Sequence, residues 1–409
     1  MSRALGRSQV FDVHLFSPAL VLEQMWSRME EAIETGDPAA EHTQQRLRIV
    51  VAGGDGTVAW VLGAIQQLRI EPHPRVAIIP LGTGNDLSRV FGWGKIYHPA
   101  WVRDYHSLYR LMERVQVGRP SALDCWRVCL QASGPGVLDA KSLPYSLQRV
   151  EGDGAGSQGL FWNYLSVGLD AYSAYGFHRV REGHPALARA RLTNQLWYTW
   201  FSLKSGWLCG ARGLRSTYLR SLAVRRESAD WAEVPVPADV RALVFLNIDS
   251  YAGGRNIWGR ADGAGFGPQS CSDGLLEVVG LRGGLHSAAV MASRGKLAHG
   301  RRLAQASAVR IELGCPTEEG TSKAYLQVDG EPWRQKLAAG QSLILLVERK
   351  GEPPALAVAL AGTAIEHHRQ RRHEPDAGGA RQARAAVHTQ AAAAAAAGPH
   401  GCGTARGRD

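Results

Sequence analysis

No stretch of the chain stays apolar for the roughly 18 residues that a membrane-spanning helix needs. The longest candidate, Ala355 to Ile365, is short and rich in Ala and Gly, so a bilayer span is not expected. The N-terminus, MSRALGRSQVFDVHLF, lacks the long apolar core of a secretory signal, which makes the cytosol the expected compartment. Cysteine is sparse: six, at 125, 129, 209, 271, 315 and 402. None form a CxxC pair, and Cys125 with Cys129 alone is an incomplete metal knuckle, so reduced core thiols are expected. There is no internal repeat of fixed period. Acids are the minority charge, 37 against 47 Lys and Arg, and the net of +10 points to an anionic partner: nucleic acid, a phosphate-bearing ligand or an acidic lipid surface.

What is present is the balance of a globular enzyme, 45% hydrophobic and 21% charged with twelve Trp, excluding a disordered or fibrous chain. At roughly 150 residues per domain, 409 residues predict two or three folded units. From His373 onward large apolar residues almost vanish and seven consecutive Ala appear, which reads as a disordered tail. The polar stretch between Gln131 and Gln158, flanked by QASGPGV and EGDGAGSQ, reads as a surface insertion between two strands.

The first third alternates β-rich runs with helical patterns: LRIVV (47–51), a helix over about 57–68, VAIIP (76–80), a short helix after Asn85, and a helix over about 101–115. That alternation predicts an open parallel α/β sheet. From Leu123 onward strands dominate, in LDCWRVCL, FWNYLSVGL, STYLRSLAV, RALVFLNI, LLEVVGL, AVRIEL, AYLQV and SLILLV. These predict an antiparallel sheet or sandwich, with helices over about 186–203 and 286–299.

Two glycine loops carry the chemistry. IVVAGGDGTVAWVL runs from a strand through Gly53, Gly54, Asp55, Gly56 and Thr57 into a helix. Glycines allow tight backbone approach, and free amides at a helix start suit an anion. Asp55 would repel a phosphate unless a cation lies between, which suggests Mg²⁺; the alternative is a plain turn with Asp55 as helix cap. VAIIPLGTGNDLSRVFG repeats the arrangement through Gly82, Thr83, Gly84, Asn85 and Asp86. Adjacent loops at strand C-termini form the ligand crevice of an open α/β sheet, so both can address one polyphosphate. Neither is a Walker A loop or a GxGxxG fingerprint.

GGDGT followed by PLGTGNDLSR resembles the catalytic domain of diacylglycerol kinases, lipid kinases that share a fold with NAD kinases. NYLSVGLDAYSAYGFHRVRE, FLNIDSYAGGRNIWG, SDGLLEVVGL and LQVDGEPW resemble the accessory domain of the plant-type enzymes, and the likeness runs from about Gln9 to Val347. It implies a catalytic ATP-binding domain over 1–120, a β-rich accessory domain over 121–350 and a low-complexity tail over 351–409. It assigns Gly53, Gly54, Gly56, Thr57, Gly82, Thr83, Gly84 and Asn85 to ATP. It places a water-linked Mg²⁺ network on Asp55, Asp86 and Asp124, the last of which reads equally well as a strand-end turn residue. In the DGE motif it makes Asp329 the base that receives the hydroxyl proton, with Glu331 in the same catalytic motif. Asp55 is the competing base, and a simple β-turn is the bland reading of DGEP. The implied reaction is phosphorylation of 1,2-diacylglycerol to phosphatidate by ATP and Mg²⁺. Asn247 and Arg255 either position substrate or belong to a structural loop.

Between Tyr175 and Arg226 there are ten Lys or Arg and one acid, Glu182, interleaved with Trp197, Tyr198, Trp200, Phe201 and Trp207. Basic residues beside amphipathic aromatics suit an anionic membrane surface, giving a peripheral, cytoplasmic expectation; core aromatics with a solvated basic face are the alternative. No nucleic-acid module accompanies them. Catalytic domains of this family normally open with a strand and an NPxSG-like loop that this chain lacks, which keeps a non-catalytic nucleotide- or lipid-binding relative open. A sphingoid base is the other acceptor considered.

Overall fold

Proline at the first helical position opens two helices at the start of the chain, α1 (Pro18–Glu34) and α2 (Pro38–Arg46). A missing N–H costs nothing at that position. Asp37 caps the second by accepting from Ala39 N–H at 2.8 Å. The alternation that follows matches the expected pattern: β1 (Arg48–Gly53), α3 (Asp55–Gln67), β2 (Arg75–Pro80), α4 (Asp86–Val90) and α5 (Tyr105–Val117). β1 and β2 are parallel and in register from Arg48 opposite Arg75 to Gly53 opposite Pro80. A computed structural model describes residues 5–133, 156–184, 212–227, 229–259, 265–283, 298–350 and 358–359, with scattered positions between them.

After β3 (Pro120–Ser121) the chain becomes almost wholly β. The strands are β4 (Trp126–Ser133), β5 (Leu147–Arg149), β6 (Gly156–Phe161), β7 (Tyr164–Gly168), β8 (Leu219–Arg225), β9 (Ala232–Glu233), β10 (Val240–Leu246), β11 (Leu276–Arg282), β12 (Arg301–Ala306), β13 (Ala308–Gly314), β14 (Thr321–Val328), β15 (Glu331–Ala338), β16 (Ser342–Arg349) and β17 (Val358–Ala359). One helix, α6 (Leu169–Gly183), follows β7 directly. The first sheet has the order β1-β2-β17-β3, so β1 is an edge strand and Val358–Ala359 returns from the far end of the chain to pair with β2. Two antiparallel sheets follow, β12-β11-β10-β7-β14-β15 and β5-β6-β4-β16-β13-β8-β9.

These two sheets face each other across one core. Val128 and Leu130 of β4, Ile311 of β13 and Leu345 of β16 meet Leu165, Val167, Phe245, Val278 and Leu326 from the opposing sheet. All five residues of β7 are buried: Leu165 and Val167 turn into the sandwich, while Ser166 turns the other way, toward α6. The α/β part packs α1 and α3 on the first sheet through Leu22, Trp26, Val58, Leu62, Ile65, Val76 and Ile78, and Trp162 and Ile248 from the β-rich part enter the same core. Those two side chains fix one part against the other.

The structure departs from the sequence reading in places. FWNYLSVGL is not one strand: it breaks at Trp162–Asn163 and passes into α6 at Leu169. α1, α2, β12 and β15 are additional elements. The helices expected over 186–203 and 286–299, most of the 131–158 insertion and the tail over 351–409 except Val358–Ala359 lie outside the described residues, apart from scattered positions. No described helix is long and apolar enough to cross a membrane.

Candidate functional site

Parallel pairing of β1 and β2 delivers their loops side by side. Gly53 O accepts from Leu81 N–H at 3.0 Å, and beyond that bond the loops touch through bare backbone. A Cβ on Gly82 would stand 2.6 Å from Gly54 Cα, and one on Gly54 3.0 Å from Gly82 Cα. Glycine is what permits this approach. Asn85 braces the second loop from a left-handed φ of 54°, a conformation Asn tolerates. Its Oδ1 accepts from Gly82 N–H at 2.9 Å, and its Nδ2 donates to Gly82 O at 2.8 Å and Lys95 O at 3.0 Å. Gly56 and Thr83 are exposed, and Thr57 lies beneath Gly53. Gly82→Ala should therefore force the loops apart, and kcat/KM for ATP, from initial rates over an ATP series, should fall more than tenfold.

The two loops are not equivalent. Asp55, at the start of α3, accepts from Asp86 N–H through Oδ2 at 3.0 Å and from Leu87 N–H through Oδ1 at 3.1 Å. The first loop's carboxylate thus caps the second loop's helix. The start of α4 is occupied, so the open first-turn amides are those of α3, which no carbonyl of their own helix reaches. Burial, then the neighbouring Asp86, hold the Asp55 carboxyl well above the usual carboxylate range, against the pull of its N–H bonds.

Asp86 is buried, and its Oδ1 is saturated. Its Oδ1 accepts from Ser250 Oγ at 2.5 Å, Gly253 N–H at 3.0 Å and Gly254 N–H at 3.0 Å, and its Oδ2 lies 3.1 Å from Gly253 N. It pins a third glycine turn, in which Ala252, Gly253 and Gly254 all have positive φ. These contacts give Asp86 a scaffolding role beside the water-linked metal role expected of it. Asp124 is also buried, forms an ion pair with Arg349 at 2.8 Å and accepts from Gly274 N–H at 2.7 Å. Asp55 has one hydrogen bond on each oxygen and Asp86 Oδ2 has only the shared Gly253 N–H, so both keep open acceptor capacity. Among the described residues no three His, Cys, Asp or Glu side chains gather as a metal cage.

Asp329 and Gly330 are the two-residue turn joining β14 to β15, both at positive φ (47° and 85°). This type I′ geometry suits Asp-Gly. The carboxylate reaches the Trp162–Asn163 break. Its Oδ1 accepts from Asn163 N–H at 2.9 Å and Tyr164 N–H at 3.0 Å, and its Oδ2 from Trp162 N–H at 2.9 Å. Oδ1 has both lone pairs engaged, whereas Oδ2 keeps one free. Three such bonds alone would depress the pKa, yet burial outweighs them and, with the charge of Asp55, pushes Asp329 up to about 7. Glu331 accepts from Ser146 N–H at 3.2 Å.

Asn247 resolves toward structure. Wholly buried, it accepts from Trp126 Nε1 at 2.8 Å and donates to Asp124 O at 3.0 Å and Trp162 O at 2.5 Å. Arg255 joins Tyr251 through paired backbone hydrogen bonds and donates to Ala252 O, so it belongs to the pinned turn. Sequence reasoning missed a buried cluster behind Asp329. Asp170 accepts from Ser166 Oγ at 2.7 Å and from Gln327 Nε2, and burial raises its pKa. Tyr251, on the turn held by Asp86, packs its ring 5.0 Å from that of Tyr164. In the basic segment Leu187, Leu196 and Trp200 are exposed, and Trp197 stacks on Phe201 at 6.1 Å; Tyr198 and Trp207 lie outside the described residues.

Residues 14–113 match the family model of the diacylglycerol kinase catalytic domain, and residues 160–332 that of the diacylglycerol kinase accessory domain. The chain is 36% identical over 381 residues to diacylglycerol kinase 4 of Arabidopsis thaliana, covering 85% of this chain and 75% of that protein. It is 34% identical over 369 residues to diacylglycerol kinase 1 of Oryza sativa subsp. japonica, covering 84% and 72%. With human diacylglycerol kinase theta the identity is 34% over 318 residues, covering 75% of this chain and 30% of that protein.

Proposed function

The chain belongs to the diacylglycerol kinase family, and from that premise we propose how its residues transfer phosphate from ATP to diacylglycerol. The observation that carries the reading is Asp329: a half-buried carboxylate within the electrostatic reach of Asp55, with one free lone pair on Oδ2. The backbone of Gly53, Gly54, Gly56, Thr57, Gly82, Thr83, Gly84 and Asn85 cradles the nucleotide phosphates. The primary hydroxyl of diacylglycerol attacks the γ-phosphorus, the bond to the ADP oxygen breaks, and the hydroxyl proton passes to Asp329 Oδ2. Phosphatidate and ADP leave. Glu331 steadies the same hairpin through its bond to Ser146.

Mg²⁺ fits this site through Asp55 and the substrate's own phosphates, since Mg²⁺ commonly takes one or two carboxylates and keeps several waters. Bound there it would neutralise phosphate charge. The α/β part through residue 120 serves the nucleotide, and the part from 121 to 350 presents the acceptor. The segment 175–226 lays its exposed Leu and Trp side chains and its cations on an anionic lipid surface, where each cation contributes about 1 kcal/mol. Neither a sphingoid acceptor nor a non-catalytic role gains a supporting contact.

The test is phosphatidate formation from diacylglycerol in mixed micelles, with and without anionic lipid, over a pH series. A base must be unprotonated to accept, so kcat/KM should fall about tenfold per unit below pH 7 and level off above it, as the Asp329 pKa of about 7 requires. Anionic lipid should lower KM for diacylglycerol. A flat profile between pH 5.5 and 8 would remove Asp329 as the base, and an absent product would remove the kinase reading.

A further inference from the structure

The bend that holds Asp329 contains a side chain with no structural employment. Asn163 is 1% exposed, and its backbone is fully engaged: its N–H donates to Asp329 Oδ1 at 2.9 Å, and its C=O accepts from Asn247 N–H at 2.9 Å. The side chain is different. Its buried Oδ1 finds no hydrogen-bond partner among the described residues. A buried polar atom left unpaired is destabilising, and nearly all such atoms in folded proteins are satisfied, so each exception calls for a reason. Trp162 of the same bend also leaves a buried Nε1 unpaired among the described residues, on a ring that serves the packing. Trp162 enters the core of the α/β part, and Tyr164 packs on Tyr251.

We propose that the Asn163 carboxamide is a substrate-positioning group that binds the acceptor hydroxyl of the lipid beside Asp329. This rests on the kinase reading above and adds a residue to it. The chemistry of the reactants selects the hydroxyl. An unpaired carbonyl oxygen needs a donor, and the phosphate oxygens that react at neutral pH carry none, whereas an alcohol does. The hydroxyl's single proton bonds Asn163 Oδ1 when the acceptor docks and turns to Asp329 Oδ2 as the oxygen attacks, while the amide N–H donates to the alcohol oxygen and keeps it in place. Fixing the oxygen this way favours in-line attack, where small misplacements are costly.

A structural Asn and a substrate-positioning Asn respond differently to removal. Replacing an unpaired buried amide by an apolar side chain of similar volume takes away a penalty and no bond. The experiment is to compare the full chain with Asn163→Leu and Asn163→Ala, measuring thermal unfolding without substrates and phosphatidate formation over separate diacylglycerol and ATP series. The expected result is a fall of tenfold or more in kcat/KM for diacylglycerol, KM for ATP within twofold of wild type, and an unfolding temperature for Asn163→Leu that is unchanged or higher. Variants with kcat/KM for diacylglycerol within twofold of an active wild type would overturn the inference alone. So would a lowered unfolding temperature accompanied by equal losses toward both substrates, the signature of a structural role. A wild-type chain that makes no phosphatidate would remove the kinase reading and this inference with it.

Discussion

Asp329→Asn should lower kcat between about 10²- and 10⁴-fold, the range that a positioned proton acceptor contributes, while KM for ATP changes by no more than a few-fold. The substitution suits the backbone: position 329 sits at a φ of 47°, where Asn is among the few residues tolerated, and Asn-Gly is itself a preferred type I′ turn. The amide oxygen can still accept from Asn163 and Tyr164 N–H, while the amide nitrogen replaces Oδ2 and faces Trp162 N–H. One hydrogen bond to a carboxylate is lost and Trp162 N–H is left facing a donor, a cost of about 1 to 3 kcal/mol, and the acceptor for the hydroxyl proton goes with it. Steady-state phosphatidate formation at saturating ATP, with a thermal scan confirming the fold, measures the effect. A loss smaller than tenfold would transfer the base role to Asp55, the alternative raised by its own position beside the phosphates.

That choice between two carboxylates shows where sequence stops and geometry starts. The glycine loops were legible because strand, Gly-rich turn and helix are local patterns: the expected strand at 47–51 and helix at 57–68 lie within a few residues of β1 and α3. The sandwich was legible from its short alternating runs. The role of Asp86 was not, because its partners are Ser250 Oγ and the backbone N–H groups of Gly253 and Gly254, and a backbone donor 167 positions away leaves no mark on composition or spacing. FWNYLSVGL reads as one strand for a related reason. The three N–H groups that break it serve the Asp329 carboxylate, a demand made from the other end of the domain. β15, EPWRQKLA, shows no polar–apolar alternation and carries three charges, and it is held by the Asp329–Gly330 turn, which pairs it residue for residue with β14.

Asp86→Ala should be the most damaging change to the scaffold, and its pattern separates the two roles that its position suggests. If Asp86 held Mg²⁺, the apo protein would lose little stability, and high concentrations of Mg²⁺ or Mn²⁺ would restore part of the activity. The contacts require something else. Removing the carboxylate leaves Ser250 Oγ–H and the amides of Gly253 and Gly254 without their acceptor in a buried site, and hydrogen bonds to a charged group are worth about 1.5 to 3 kcal/mol each. Allowing for relaxation and water entry, a loss of about 3 to 5 kcal/mol is expected, as for one partner removed from a buried ionic contact. At roughly 2 °C or more per kcal/mol for a large domain, this corresponds to a fall of about 10 °C in Tm, measured in EDTA so that no metal contributes. The freed turn carries Tyr251, which packs on Tyr164 beside the Asp329 carboxylate. Phosphatidate formation should therefore drop at least a hundredfold and stay low at any Mg²⁺ concentration. A variant that unfolds at the wild-type temperature in EDTA and recovers with added metal would return Asp86 to the metal site and leave the third glycine turn to be held by the paired backbone of Tyr251 and Arg255.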